Sequence, residues 1–144
     1  MDHHRLRTDA VCGHCGATAD AIHTQRAHES IQYSTWVKCQ KCGYEAEVDA
    51  KAMPDAIRQG FYQRDGQWTV RVDALGSRRS AVLRTIRDLS GESPSTSARM
   101  LGCLPGTIFG GTRTEMEFAA RKLRCSGAAA IEVLASEASR PDPV

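Results

Sequence analysis

Four regularly spaced cysteines are the residues of this chain best suited to chemistry. Cys12 and Cys15 form one C-x-x-C pair, Cys39 and Cys42 form another, and a glycine follows each pair. This spacing lets two sulfur atoms reach one ion from a tight turn, and the glycine supplies the positive φ that the turn needs. Four thiolates brought together by two such turns favour one tetrahedral Zn²⁺. The expected site is structural, because four protein ligands leave no open position for water or substrate.

Two other interpretations of the cysteine pairs are weaker. A thioredoxin-like redox motif needs a single C-x-x-C inside a βαβ pattern, which the sequence lacks. Two disulfides need an oxidising compartment, and the first ten residues, MDHHRLRTDA, have no apolar stretch that would make them an export signal. We therefore expect reduced, metal-binding cysteines.

The remaining histidines and cysteines carry less information. His14, His23 and His28 could each replace a zinc ligand, but we expect them to be solvated loop residues. Cys103 and Cys125 lie in apolar helical patterns. We expect them to be small core residues rather than nucleophiles, since no histidine after His28 could serve as a base.

Alternating residues flank the second cysteine pair. Ile31, Tyr33, Thr35 and Val37 fall on one face of a strand, and Tyr44, Ala46 and Val48 follow in the same way. Together with the cysteines, this stretch resembles a zinc ribbon.

The composition is that of a globular protein. The chain has 144 residues, of which 41% are hydrophobic and 25% charged, and its formal net charge is +2. This length suits one ordinary domain or two small ones. No apolar run is long enough to cross a membrane, so we expect a cytoplasmic protein.

The charge is divided unevenly along the chain. Residues 1–50 carry five basic and seven acidic side chains and so a net −2, whereas residues 69–134 carry ten basic and six acidic ones and so a net +4. The zinc-binding part therefore lacks the basic surface typical of zinc ribbons that bind nucleic acid, and only Lys38, Lys41 and Trp36 near the second cysteine pair could form a small contact patch.

The residues after position 50 predict a run of helices and strands. Met53-Pro54-Asp55 starts a short helix, and Trp68, Val70 and Val72 alternate as in a half-buried strand. Three helices are then predicted, with Ser77, Ser93 and Thr112 as their N-caps, and Thr112 pairs with Glu115 in a capping box. Ala128 to Leu134 form a last strand, which gives the order β-α-α-α-β.

The first of these three helices has a basic face away from its core side. Val82, Ile86 and Leu89 define the core side, and Leu83 points roughly 90° away from it. Arg79, Arg84 and Arg87 surround Leu83. This arrangement is that of a surface for an acidic partner, or of an ordinary solvated face with one leucine at the edge of the core.

Residues 69–134 resemble the C-terminal domain of the bacterial ribosomal stalk protein, which recruits translational GTPases. The segment GSRRSAVLRTIRDLSG at residues 76–91 matches that family without a gap, and LPGTI and SGAAAIEV match later landmarks. The Clp protease adaptor shares the β-α-α-α-β order, but its acidic substrate-binding pair is not seen here. The start of the second helix departs from the stalk pattern, and the stalk protein's dimerisation helices and hinge are replaced by the zinc ribbon. The resemblance implies a surface for a protein partner made of Arg79, Leu83, Arg84, Arg87 and Arg99.

The sequence as a whole predicts an α+β protein. It consists of a zinc ribbon (8–50), a connector helix (51–66), a domain similar to the stalk C-terminal domain (67–135) and a disordered tail (136–144). The predicted function is that of a non-catalytic cytoplasmic adaptor with one structural Zn²⁺, which binds a translation factor, a ribosome or an acidic effector. One alternative is an RNA- or DNA-binding module that uses Arg78, Arg79, Arg84 and Arg87. Another is an immunity or antitoxin-type inhibitor. The sequence shows none of the features that would indicate an enzyme, such as a nucleophile–base pair, an open metal site or a phosphate-binding loop.

Overall fold

The structure is a computed structural model that describes residues 3–136 and has an α+β fold. The chain divides into two compact units, Met1–Asp65 and Gly66–Val144. Each unit has its own antiparallel sheet, of four strands in the first and three in the second. The α+β class predicted from the sequence is confirmed.

The first unit is built on a four-stranded sheet in the order β1-β2-β3-β4. Its strands are Arg5–Val11, Thr18–Ala27, Ile31–Lys38 and Glu45–Ala50. The register places Thr35 of β3 opposite His23 of β2 and Val48 of β4. The strand pattern predicted on both sides of the second cysteine pair is therefore confirmed, whereas β1 and β2 were not expected as a sheet.

One face of the central strand β2 is buried although none of its side chains is large and apolar. Ala19, Ala21, His23 and Gln25 of β2 are all buried. At the end away from the cysteines, helix α1 (Asp55–Asp65) places Phe61 against Leu6, Tyr33 and Met53. Gly60 allows this close approach, since a Cβ there would lie 2.7 Å from Leu6 Cδ2. The connector helix predicted at 51–66 thus packs on the N-terminal sheet.

The second unit is a three-stranded sheet in the order β6-β5-β7, backed by three helices. Its elements are β5 (Trp68–Ala74), α2 (Arg79–Ser90), α3 (Pro94–Gly102), β6 (Gly106–Gly111), α4 (Arg113–Cys125) and β7 (Ala129–Ala135). The core contains Val70 and Val72 of β5, as the alternating pattern predicted. Val82 and Ile86 of α2 pack on them, which confirms the core side of that helix.

The order of elements in the second unit contains one strand more than predicted. The sequence predicts β-α-α-α-β, but β6 lies between α3 and α4, which gives β-α-α-β-α-β. The segment GTIFGG pairs with β5, with Phe109 opposite Val70. Three of its six residues are glycines, and pairing with β5 outweighs their low strand propensity.

The helix starts agree with the sequence at two of three positions. At the start of α3, the Ser93 hydroxyl accepts a hydrogen bond from the Thr96 N–H, and Pro94 is the first helical residue. At the start of α4, Thr112 and Glu115 form the full capping box. The prediction of Ser77 as the cap of α2 is wrong. Arg78 holds that position and forms no side-chain cap hydrogen bond.

The chain after β7 is described only at Ser136, whose N–H donates to the Gln67 carbonyl at 2.7 Å. The disordered tail predicted at 136–144 otherwise lies outside the described residues.

Candidate metal centre

The two cysteine pairs lie at the same end of the N-terminal sheet because of its topology. One pair is in the loop between β1 and β2, and the other is in the loop between β3 and β4. In an antiparallel meander, the first and third turns lie at one end and the second turn lies at the other. The sheet therefore brings together cysteines that are far apart in the sequence.

The two loops have the same backbone geometry. The Cys12 N–H donates to the Ala17 carbonyl at 2.8 Å, and the Cys39 N–H donates to the Tyr44 carbonyl at 2.8 Å. Gly16 and Gly43 close the two turns with φ values of 75° and 76°. A left-handed conformation of this kind is open to glycine at little cost, as the sequence suggested.

The four sulfur atoms form a compact cluster. Cys12 Sγ lies 3.7 Å from Cys42 Sγ, and Cys15 Sγ lies 3.6 Å from Cys39 Sγ. Four Zn–S bonds of about 2.3 Å in a tetrahedron place the sulfurs ~3.8 Å apart. A disulfide would bring two sulfurs to about 2.0 Å, and all six cysteines are free. The arrangement fits a zinc ion and requires no rearrangement of the loops.

Two backbone N–H groups of the first loop point at the sulfur of Cys12. Cys12 Sγ accepts the N–H of His14 at 3.4 Å and that of Cys15 at 3.5 Å. The Cys15 N–H is the largest of the influences that lower the pKa of Cys12 to about 6. The Cys42 N–H acts in the same way to lower the pKa of Cys39.

The second cysteine of each pair is affected differently. The Ala17 N–H lowers the pKa of Cys15, but burial and the neighbouring thiols outweigh it and raise that pKa to about 12. Four thiols this close cannot all ionise cheaply without a cation among them. A bound divalent ion would supply that positive charge and deprotonate the ligands.

In each loop, the first cysteine is buried and the second is exposed. Cys12 and Cys39 are buried, at 2% and 0% exposure, whereas Cys15 and Cys42 are exposed. His14 and Tyr44 lie beside the cluster with their rings nearly parallel, and their centroids are 5.8 Å apart. No histidine of residues 3–136 shares this cluster, so the cysteines form it alone.

His23 is the residue that sequence reasoning placed worst. It was expected to be a solvated loop residue, but it lies in β2 and is buried. Its Nε2 lies 2.8 Å from the Thr8 hydroxyl, and its Nδ1 lies 2.7 Å from the Tyr33 hydroxyl and 3.1 Å from that of Thr35. Burial lowers the pKa of His23 below the ordinary 6.5. The sequence of β2 has no clear alternation of large apolar residues, so no local signal marks His23 as buried.

Cys103 and Cys125 also differ from expectation. Both are exposed rather than in the core. Cys103 directly follows α3, and Cys125 is the last residue of α4, so both lie at helix ends.

The residues predicted to bind a partner lie on α2 and α3, which pack side by side. Arg79, Arg84, Arg87 and Arg99 are exposed, and none of their side chains forms an ion pair or hydrogen bond with another of residues 3–136. Leu83 is half-buried and packs against the core of the second unit. Leu83 therefore lies at the edge of the core. The four exposed arginines are the accessible part of the predicted partner-binding surface.

Comparison with known proteins adds nothing to these observations: no family model matches the chain, and no curated protein matches it. No helix of the described residues is long and apolar enough to cross a membrane.

Proposed function

We propose that this protein is a non-catalytic zinc-binding adaptor, which holds one structural Zn²⁺ in its N-terminal unit and binds an acidic protein through α2 and α3. The observation that carries the metal part is the pair of sulfur–sulfur distances, 3.6 and 3.7 Å, close to the edge of a ZnS₄ tetrahedron. Cys12, Cys15, Cys39 and Cys42 would hold the ion. Bound there, zinc would cross-link the two loops, and all four of its positions would be filled by protein.

The small core of the N-terminal unit supports a stabilising role for the metal. Around the cysteines, the buried cluster contains only Cys12, Ala19 and Cys39, with Ala17 and Val37 beside it. Such small side chains bury little apolar area, and small domains of this kind commonly use a metal to compensate. The zinc would therefore stabilise the end of the sheet that α1 does not cover.

Four arginines with unpaired side chains, on two helices that pack together, support the partner-binding part. Arg79, Arg84 and Arg87 on α2 and Arg99 on α3 are exposed and have no acidic partner among residues 3–136. Exposed arginines that lack internal partners are available to carboxylates or phosphates. The resemblance of residues 69–134 to the stalk C-terminal domain favours a protein partner of the translation machinery.

Nucleic acid is the second candidate partner, and the same arginines favour it. The two candidates differ in their response to salt, because phosphate binding releases counterions and weakens steeply as salt rises.

Affinity purification of the full chain from its own host tests the partner-binding proposal. The Arg84→Glu/Arg87→Glu variant should lose the partner while its circular dichroism stays unchanged. Arg26→Glu/Lys51→Glu is the matched control, since both residues are exposed, lie in the other unit and give the same change in charge. Equal recovery of the partner with both variants would remove the proposed surface. A partner that disappears after nuclease treatment and weakens steeply with salt would favour the nucleic-acid alternative.

A further inference from the structure

The two edges of the N-terminal sheet are not equally open. At the β1 edge, the Arg64 guanidinium donates to the Arg5 carbonyl, and Gly60 of α1 lies against Leu6. At the other edge, β4 pairs with β3, and no further strand of residues 3–136 pairs with it. An open strand edge presents a row of backbone donors and acceptors that can pair with another chain. The β4 edge is therefore the more open of the two.

The side chains of β4 divide by charge between its two faces. Glu45, Glu47 and Asp49 alternate along one face, opposite Lys38, Trp36 and Ser34 of β3. All three acids are exposed. The Glu45 carboxylate accepts the Trp36 indole N–H at 2.8 Å, whereas the side chains of Glu47 and Asp49 form no ion pair or hydrogen bond with other described residues. This short strand carries three of the seven acidic residues of positions 1–50.

The opposite face of β4 is apolar and also exposed. Val48 is 63% exposed and lies between Ala46 and Ala50 on that face. The edge thus combines free backbone groups, carboxylates on one side and an accessible apolar side chain on the other.

We propose that the β4 edge binds an extended basic segment of a partner protein, which adds to the sheet as a fifth strand. Successive side chains on one face of a strand are about 7 Å apart, so Lys or Arg at every second position of the segment would meet Glu47 and Asp49 in register. The apolar residues between them would pack beside Val48. Backbone pairing would supply affinity and the alternating side chains specificity, as in other cases of strand addition.

The charge of β4 disfavours other occupants of this edge. Antiparallel pairing with a second copy would set the acids of one β4 beside those of the other, which is unfavourable. Phosphate groups would be repelled in the same way. These carboxylates attract a basic segment. The β4 edge would therefore bind a basic partner, whereas the arginines of α2 and α3 would bind an acidic one.

Fluorescence anisotropy with labelled synthetic peptides and the zinc-loaded full chain tests this proposal. The probe is a ten-residue peptide that alternates lysine and valine. A peptide of the same sequence with N-methylated backbone amides is the matched control for strand pairing. The alternating peptide should bind, and the methylated peptide should bind at least about tenfold more weakly, because it retains the charge but loses backbone donors. No binding of the alternating peptide would overturn the proposal, and so would equal binding of the two peptides.

Variants of the protein locate the bound peptide. Glu47→Lys/Asp49→Lys should weaken binding by about tenfold or more, since two attractions become repulsions. Asp9→Lys/Glu29→Lys makes the same change in net charge at exposed positions outside β4 and should have little effect. Equal weakening by both pairs would assign binding to overall charge and overturn the β4 site. Neither result depends on Arg84 or Arg87, so this proposal and the adaptor proposal fail independently.

Discussion

Cys15 Sγ and Cys39 Sγ lie 3.6 Å apart although 24 positions separate the two residues in the chain. The turns that carry them have matching hydrogen bonds and glycine conformations, and the four-stranded meander holds both turns at one end. The proposed zinc role depends on this convergence. It requires the sheet and the metal to stabilise each other.

Loss of one buried ligand should therefore affect both metal binding and folding. We expect Cys39→Ser to lose most of its zinc and to unfold the N-terminal unit, because that unit has little core near the cysteines. Cys103→Ser is the matched control, since Cys103 is exposed and distant from the cluster in the sequence. Zinc content after exchange against a chelator, with circular dichroism on the same samples, measures both effects. Full zinc content in Cys39→Ser would contradict the assigned ligand.

His23 should make the stability of the protein fall in mild acid. Burial lowers its folded pKa below the ordinary 6.5, so the unfolded chain binds the proton more readily. The stability from neutral, buried His23 is complete above about pH 6.5 and decreases as the pH falls from there towards the folded pKa. The imidazole contacts the hydroxyl groups of Thr8, Tyr33 and Thr35. These contacts include no carboxylate that would stabilise the charged form of His23.

The measurement is urea unfolding between pH 7.5 and pH 5.5 for the parent and for His23→Gln. The variant should be less stable at neutral pH but should lose less stability on acidification. Protonation of the cysteine ligands affects both proteins alike, so the difference in slope isolates His23. Identical slopes would show that His23 does not titrate as its burial requires.

Gly76 and Gly91 should respond differently to the same substitution. Both have positive φ, 71° and 67°, so alanine at either position costs about 1–2 kcal/mol. At Gly76 a Cβ would also lie 2.3 Å from the Gly127 carbonyl oxygen, whereas nothing lies within 4 Å at Gly91. We expect Gly76→Ala to cost about 1–3 kcal/mol more than Gly91→Ala. Urea unfolding followed by Trp68 fluorescence in a Trp36→Phe background reports the second unit alone, and equal midpoints would contradict the close approach.

The sequence predicts the metal cluster well because its signal is local. Two residues between cysteines and a glycine after each pair are enough to specify each turn, and the turns are then brought together by ordinary strand pairing. Helix α4 was predicted for the same reason, since Thr112 and Glu115 identify its start within four residues.

The features that the sequence missed depend on contacts between distant residues. Strand β2 buries Ala19, Ala21, His23 and Gln25, which do not look like a hydrophobic face, and it is the pairing of β2 between β1 and β3 that places it inside the sheet. Strand β6 is rich in glycine and forms because β5 offers it a pairing edge. Cys103 and Cys125 follow apolar helical patterns but lie just where those helices end.

X-ray absorption at the zinc edge, with metal content measured on the same sample of the full chain, tests directly whether the four cysteines hold a zinc ion. We expect one zinc per chain with four sulfur neighbours at about 2.3 Å. A nitrogen or oxygen ligand in the first coordination sphere, or a protein with no bound zinc and cysteines paired as disulfides, would contradict it.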